Sequence, residues 1–227
     1  MTDKRVFTDE ELREMGRRTL DVLKDAIDAG DRKKARDLAD LMYNEFKHLH
    51  DGYFTWVTGL QTYIYDKLGV DAVEEAERQA HTIESKVAWT SSGGPTDFRG
   101  VVEGMIGGLR GHLQPVEITE DDEKVCITMK PCGSGKRLIQ MGGYEAGLGR
   151  VKEPHRITWG QQDFPLYCVH CPVMEALDIE ATGDFAFCHY ISDPIGKEDC
   201  QFVFYKDRAD IPEEFYTRIG KQKPGKA

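Results

Sequence analysis

Cys168 and Cys171 are separated by two residues, and His170 lies between them in YCVHCP at 167–172. Two intervening residues let both sulfurs turn toward one ion, and thiolate with imidazole is a ligand set that suits zinc. A structural zinc site takes four such ligands in a tetrahedron, so a second pair is needed. Cys132, in the Gly-rich PCGSGK at 131–136, and His155, in EPHRITW at 153–159, supply it. The expected metal set is Cys132, His155, Cys168 and Cys171, with Zn2+ as the ion. His170 either faces away from the ion or takes the place of His155. Iron, or an iron–sulfur cluster on four cysteines, is the alternative. The nearby histidines rank zinc above it. Free cysteine is also a common core residue, so buried thiols with no chemistry are the plain alternative.

Two other readings of these stretches are weaker. A thioredoxin-like pair needs its CxxC in a βαβ unit, which the surrounding sequence lacks. A phosphate loop needs Ser or Thr after the lysine, but Lys136 is followed by Arg137.

A second group of reactive side chains falls on helical sequence. In the run containing Ala35, Leu38, Met42, Phe46 and Leu49, Glu45 lies about 40° from the apolar centre at 100° per residue. A carboxylate there is costly unless it is paired or binds a metal. His48 and His50 flank the same stripe on opposite sides, and His112 continues the run Phe98, Met105, Leu109. Glu45, His48, His112 and His170 are therefore the candidate general acids and bases, and His81 can join them. The Glu-x-x-His of ferritin-like proteins occurs only once here, so a di-iron bundle is not expected.

The elements that must position these residues fall into two grammars. Residues 8–113 read as helices. Thr8 and Glu11 form a capping box, Gly30 ends the first helix, and Asp31 starts a second that runs to Asp51–Gly52. A third helix carries Tyr53, Trp56, Val57, Leu60, Tyr63 and Ile64 on one face and stops at Gly69. A fourth shows Val73, Ala76, Ala80, Ile83 and Val87. A loop at 91–97 leads to a cap at Thr96 or Asp97 and a fifth helix. Short loops favour antiparallel neighbours, hence a bundle. From 114 to 227 the sequence reads as α+β. KVCITMK alternates as a strand, RLIQM is a second candidate strand, CPVMEALDIE holds a short helix, and FAFCHYIS pairs with CQFVFYK across DPIGKED. The expected fold is α+β: an N-terminal helical bundle (1–113), then a small antiparallel-sheet half (114–227) with a cysteine-rich metal site.

The segment GDFAFCHYISDPIGKEDCQFVFYK resembles the ending shared by the 2-amino-thiazoline-4-carboxylate hydrolase family and the 4-vinyl-reductase-type ligand-binding domain. Gly196, Cys200 and Phe202 carry the likeness, which covers roughly residues 160–206. The first family opens small nitrogen- and sulfur-containing rings. The second binds small apolar ligands and often a cysteine-ligated zinc. The resemblance to the second implies Cys188 and Cys200 as rival ligands.

With 227 residues, 40% hydrophobic and 31% charged, the chain suits an ordinary globular protein with ample core. A net charge of −10 and the lack of a basic stripe argue against nucleic acid. No apolar run approaches the ~18–20 residues that span a bilayer, and the N-terminus lacks the apolar core of a signal peptide, so a cytoplasmic location is expected.

The expected function is a zinc-dependent small-molecule enzyme, a hydrolase of C–N or C–S bonds. The alternatives are a ligand- or metal-sensing module of the 4-vinyl-reductase type, and an iron–sulfur protein. A helical half that pairs with a partner leaves a homo-oligomer open.

Overall fold

The computed structural model describes residues 6–88, 97–112 and 115–225. The chain divides into two compact units, one up to Gly52 and one from Tyr53 onward. The fold is α+β, with helices and a small antiparallel sheet.

The first unit holds α1 (Asp9–Met15), α2 (Thr19–Asp28) and the start of α3 (Arg32–Leu68). Thr8 caps α1: its hydroxyl accepts from Glu11 N at 3.2 Å, and Glu11 accepts from Thr8 N at 2.7 Å. Gly30, at φ +72°, takes the left-handed conformation that closes a helix. Asp31 then accepts from Lys34 N and opens α3.

The expected break at Asp51–Gly52 does not occur, and α3 runs through it without interruption. One glycine costs a helix interior about 1 kcal/mol against alanine, too little to stop good helix formers on both sides. The expected inner face is also different. Tyr53, Trp56, Val57, Leu60 and Tyr63 are exposed, while Phe54, Thr58 and Gln61 are buried. The buried polar residues have partners. Thr58 and Thr62 return their hydroxyls to the carbonyls four residues back, and Gln61 donates to Glu77 at 2.7 Å.

In the second unit, α3 ends before Gly69 (φ +86°). Then come α4 (Val70–Ala88) and α5 (Phe98–Gly111), which Asp97 caps through Gly100 N at 2.7 Å. The expected loop at 91–96 lies outside the described residues. Strands β1 (Val116–Glu120) and β2 (Lys124–Met129) form a hairpin whose turn is fixed by Asp121, which accepts from Glu123 N and Lys124 N. RLIQM is not a strand: α6 (Gly135–Gln140) occupies it. Leu138 N bonds to Ser134 O, and that single turn buries Leu138.

A small ladder pairs β3 (Arg150–Val151) with β4 (Phe164–Pro165). Next are α7 (His170–Thr182), β5 (Cys188–Tyr190), β6 (Gln201–Tyr205) and α8 (Glu213–Thr217). The main sheet has the order β1-β2-β6-β5, antiparallel throughout. The pairing of the two strands around residues 188 and 203 follows the expected hairpin. Among the described residues, no helix is long and apolar enough to cross a membrane.

Candidate metal centre and its cavity

Four cysteines from three stretches of the second unit line one cavity of about 960 Å³. Cys132 sits in the Gly-rich loop between β2 and α6. Cys168 lies in the 3₁₀ turn 166–169 that follows β4, and Cys171 is in the first turn of α7. Cys200 immediately precedes β6. Burial pushes the Cys168 thiol well above its ordinary value, and the neighbouring thiols of Cys171, Cys132 and Cys200 push it further. Cys200 is pushed up to about 12 by burial and by Cys132 and Cys171. The four sulfurs thus feel one another, and as bare thiolates they would repel. Only a nearby positive charge would let such a set ionise together.

Gly135 shows that the loop is shaped around a sulfur. A Cβ at this position would lie 2.7 Å from Cys168 Sγ. Gly135→Ala therefore forces the Cys168 sulfur to shift. On the cluster reading proposed below, the expected result is a metal content reduced severalfold with an unchanged circular dichroism spectrum. Full metal content in this variant would show that the close approach is incidental.

The histidines of the cavity are held by specific partners. His170 Nδ1 lies 2.6 Å from the Tyr167 carbonyl, so Nδ1 carries the proton and donates. Its Nε2 then faces Cys171 Sγ at 3.4 Å. His112 Nδ1 lies 3.4 Å from the Ser134 hydroxyl.

His189, on β5, is buried, with ring centroids 4.4 Å from Phe202, 5.4 Å from Trp159 and 5.5 Å from Phe187. Its Nδ1 is 2.9 Å from Glu175 Oε1, and its backbone N–H donates to the same oxygen at 2.8 Å. Trp159 Nε1–H donates to Glu175 Oε2 at 2.7 Å, and Arg218 donates to Oε1 at 2.8 Å. The other nitrogen, His189 Nε2, stands beside Cys171 at the cavity wall and makes no well-formed hydrogen bond. Burial alone would lower the His189 pKa, but Cys171 and Glu175 outweigh it and raise it to about 9. Burial likewise pushes Glu175 up, but His189, Arg218 and Trp159 hold it below the ordinary value.

Of the residues expected from sequence, Cys132, Cys168, Cys171, His170 and His112 meet on this cavity. His155 is elsewhere. Its Nε2 is 3.3 Å from Asp71, and its Nδ1 accepts from Ile157 N. Asp71, Glu74 and His155 have ligand-type atoms within 4.8 Å of one another. Yet Glu74 is already bound by Arg78 at 2.9 Å and Arg156 at 2.7 Å, and Asp71 is almost fully exposed. That arrangement is an ion-pair network tying α4 to the turn at 156–158.

Glu45 and His48 are exposed residues of the first unit, and both oxygens of Glu45 take the Thr19 hydroxyl. Cys188 is fully buried in the apolar core and does not line the cavity.

Glu175 and His189 were missed from sequence, although a signal existed. Glu175 lies four residues after Cys171, so the two share a helix face. His189 has the same strand parity as Phe187, an apolar neighbour.

No family model matches the chain, and no curated protein matches its sequence.

Proposed function

We propose that the chain is an iron–sulfur protein. Cys132, Cys168, Cys171 and Cys200 hold a four-iron cluster in the wall of a cavity that admits a small, largely apolar molecule. The carrying observation is the spread of the four cysteines around one cavity. A single zinc ion, with Zn–S near 2.3 Å in a tetrahedron, needs sulfurs about 3.8 Å apart. Among the described residues, no three of the cysteine sulfurs lie within 4.8 Å of one another. Cys132, Cys168, Cys171 and Cys200 would instead supply the four thiolates that are the usual ligand set of an iron–sulfur cluster.

When bound, such a cluster supplies one-electron redox chemistry. Four thiolate ligands leave no open position for an activated water, so this reading favours electron transfer to or from a cavity ligand over hydrolysis. The chain's own residues shape the rest of the site. Met105, Met174, Leu177 and Phe187 contribute to the apolar wall of the cavity, and His170 and His189 stand beside Cys171.

Metal and labile-sulfide analysis of anaerobically reconstituted protein tests the proposal. About four iron and four sulfide per chain are expected. One zinc per chain without sulfide would return the site to the single-ion reading. Absence of any bound metal would overturn both.

A further inference from the structure

One corner of the cavity is acidic. Glu77, His81 and Glu84 follow one another along one face of α4, at spacings of four and three, and all three line the cavity. Gln61, on the part of α3 that belongs to the same unit, lines it too. The Glu77 side chain is only 12% exposed, and Gln61 is 6% exposed. Gln61 Nε2 donates to Glu77 Oε1 at 2.7 Å. A carboxylate accepts and does not donate, so this bond fixes which end of the amide is nitrogen. The other end, Gln61 Oε1, is buried and has no donor among the described residues. Glu77 Oε2 lies 3.6 Å from His81 Nε2, and His81 Nδ1 lies 3.3 Å from Glu84. His81 thus stands between two carboxylates. Even when protonated, it sets one positive charge against two negative ones. Among the described residues no arginine lines the cavity, and its one lysine, Lys136, is held by Asp199 at 2.7 Å.

We propose that the cavity takes a small molecule with an apolar body and a positively charged nitrogen, and that the nitrogen seats at Glu77 and Gln61. A nearly buried carboxylate costs free energy unless a cation meets it, and a buried carbonyl oxygen without a donor adds to that cost. An ammonium group answers both, with one positive charge and up to three N–H donors. A carboxylate or phosphate would instead bring another negative charge to the corner. A neutral apolar ligand would leave both acceptors as they are. Met105, Leu109 and Phe187 provide apolar wall for the rest of the molecule. The His81 ring centroid is 6.3 Å from that of His170, whose Nε2 faces Cys171, so the acidic corner lies near the cysteines. The inference rests on the cavity being a ligand site, as proposed above, and holds whichever metal the cysteines bind.

Calorimetric titration of the full chain with three matched probes tests it: phenethylammonium, 2-phenylethanol and 3-phenylpropionate, which are cationic, neutral and anionic at neutral pH. The cation should bind about tenfold tighter than the alcohol, and the anion should bind weakest. Glu77→Gln should bring the cation level with the alcohol and leave the alcohol's affinity unchanged. A cation that binds no better than the alcohol overturns the proposal. So does a preference that survives Glu77→Gln, or failure of all three probes to bind at millimolar concentration. If Glu77→Gln fails to fold, Glu84→Gln serves, at a side chain that is 55% exposed. It should lower the preference about threefold, and an unchanged preference overturns the proposal. Iron and sulfide are measured on the same samples. A preference for the cation in a chain that holds no cluster would refute the cluster alone, and a loaded cluster without that preference would refute the ammonium site alone.

Discussion

Replacing any one of Cys132, Cys168, Cys171 or Cys200 by alanine should strip the chain of iron and sulfide, while replacing Cys188 or Cys126 should not. Each of the four thiols would hold one iron, and a cluster short of a ligand is exposed to solvent and lost. Total iron should fall at least tenfold. Cys188 is the informative control because it is as buried as Cys168. It packs in the apolar core with Val203 and Phe185 and has no place on the cavity. If burial alone explained the cysteines, Cys168→Ala and Cys188→Ala would behave alike, each costing about 1 kcal/mol in lost packing and nothing in metal. Iron and sulfide measured on all six variants separates the two patterns. Loss of iron in Cys188→Ala with retention in Cys200→Ala would reassign the fourth ligand.

Glu175→Ala should be the most destabilising single change in the second unit. Glu175 is fully buried and accepts from Trp159, from Arg218 and twice from His189. Removing it leaves a guanidinium and an imidazole without their counter-charge, and two N–H donors without an acceptor. Breaking a buried pair in this way costs about 3–5 kcal/mol, read as a lowered urea midpoint in the metal-free protein.

The pH dependence has a definite sign. The folded Glu175 carboxyl is held below its ordinary value, so its contribution is complete above the unfolded pKa of about 4.3 and is lost as pH falls through the lowered value. His189 is raised to about 9, so its contribution is complete below the unfolded value and is lost as pH rises through about 9. Stability of the wild-type apoprotein should therefore decline at both ends. The acid limb should flatten in Glu175→Gln, and an unchanged acid limb would show that Glu175 is not its source.

Local signals carried well from sequence to structure. The capping box at Thr8–Glu11, the cap at Asp97 and the strands around Cys188 and Gln201 depend on neighbouring residues, and each is where its pattern places it. The orientation of α3 was not legible in the same way. Hydrophobicity selected its most apolar face, but the buried face holds Thr58, whose hydroxyl donates to Phe54 O, and Gln61, whose amide N–H donates to Glu77. A helix that buries polar residues and exposes apolar ones cannot be oriented from apolar periodicity alone.

The candidate site shows the same division. Cys168 and Cys171 are close in sequence, so their pairing could be read directly. Cys200 and His189 reach the cavity only because β5 and β6 extend the main sheet beside the Gly-rich loop. His155 lay near the cysteines in sequence, but it is held by Asp71 at the start of α4.

Mössbauer spectroscopy of the chain reconstituted with Mössbauer-active iron and sulfide separates a cluster from a single-ion site. A cluster held by the four cysteines should give a single cluster type, with every iron in an all-sulfur environment, and should be lost completely in Cys171→Ala. High-spin iron bound to nitrogen or oxygen, or a spectrum unchanged by removal of Cys171, would contradict it.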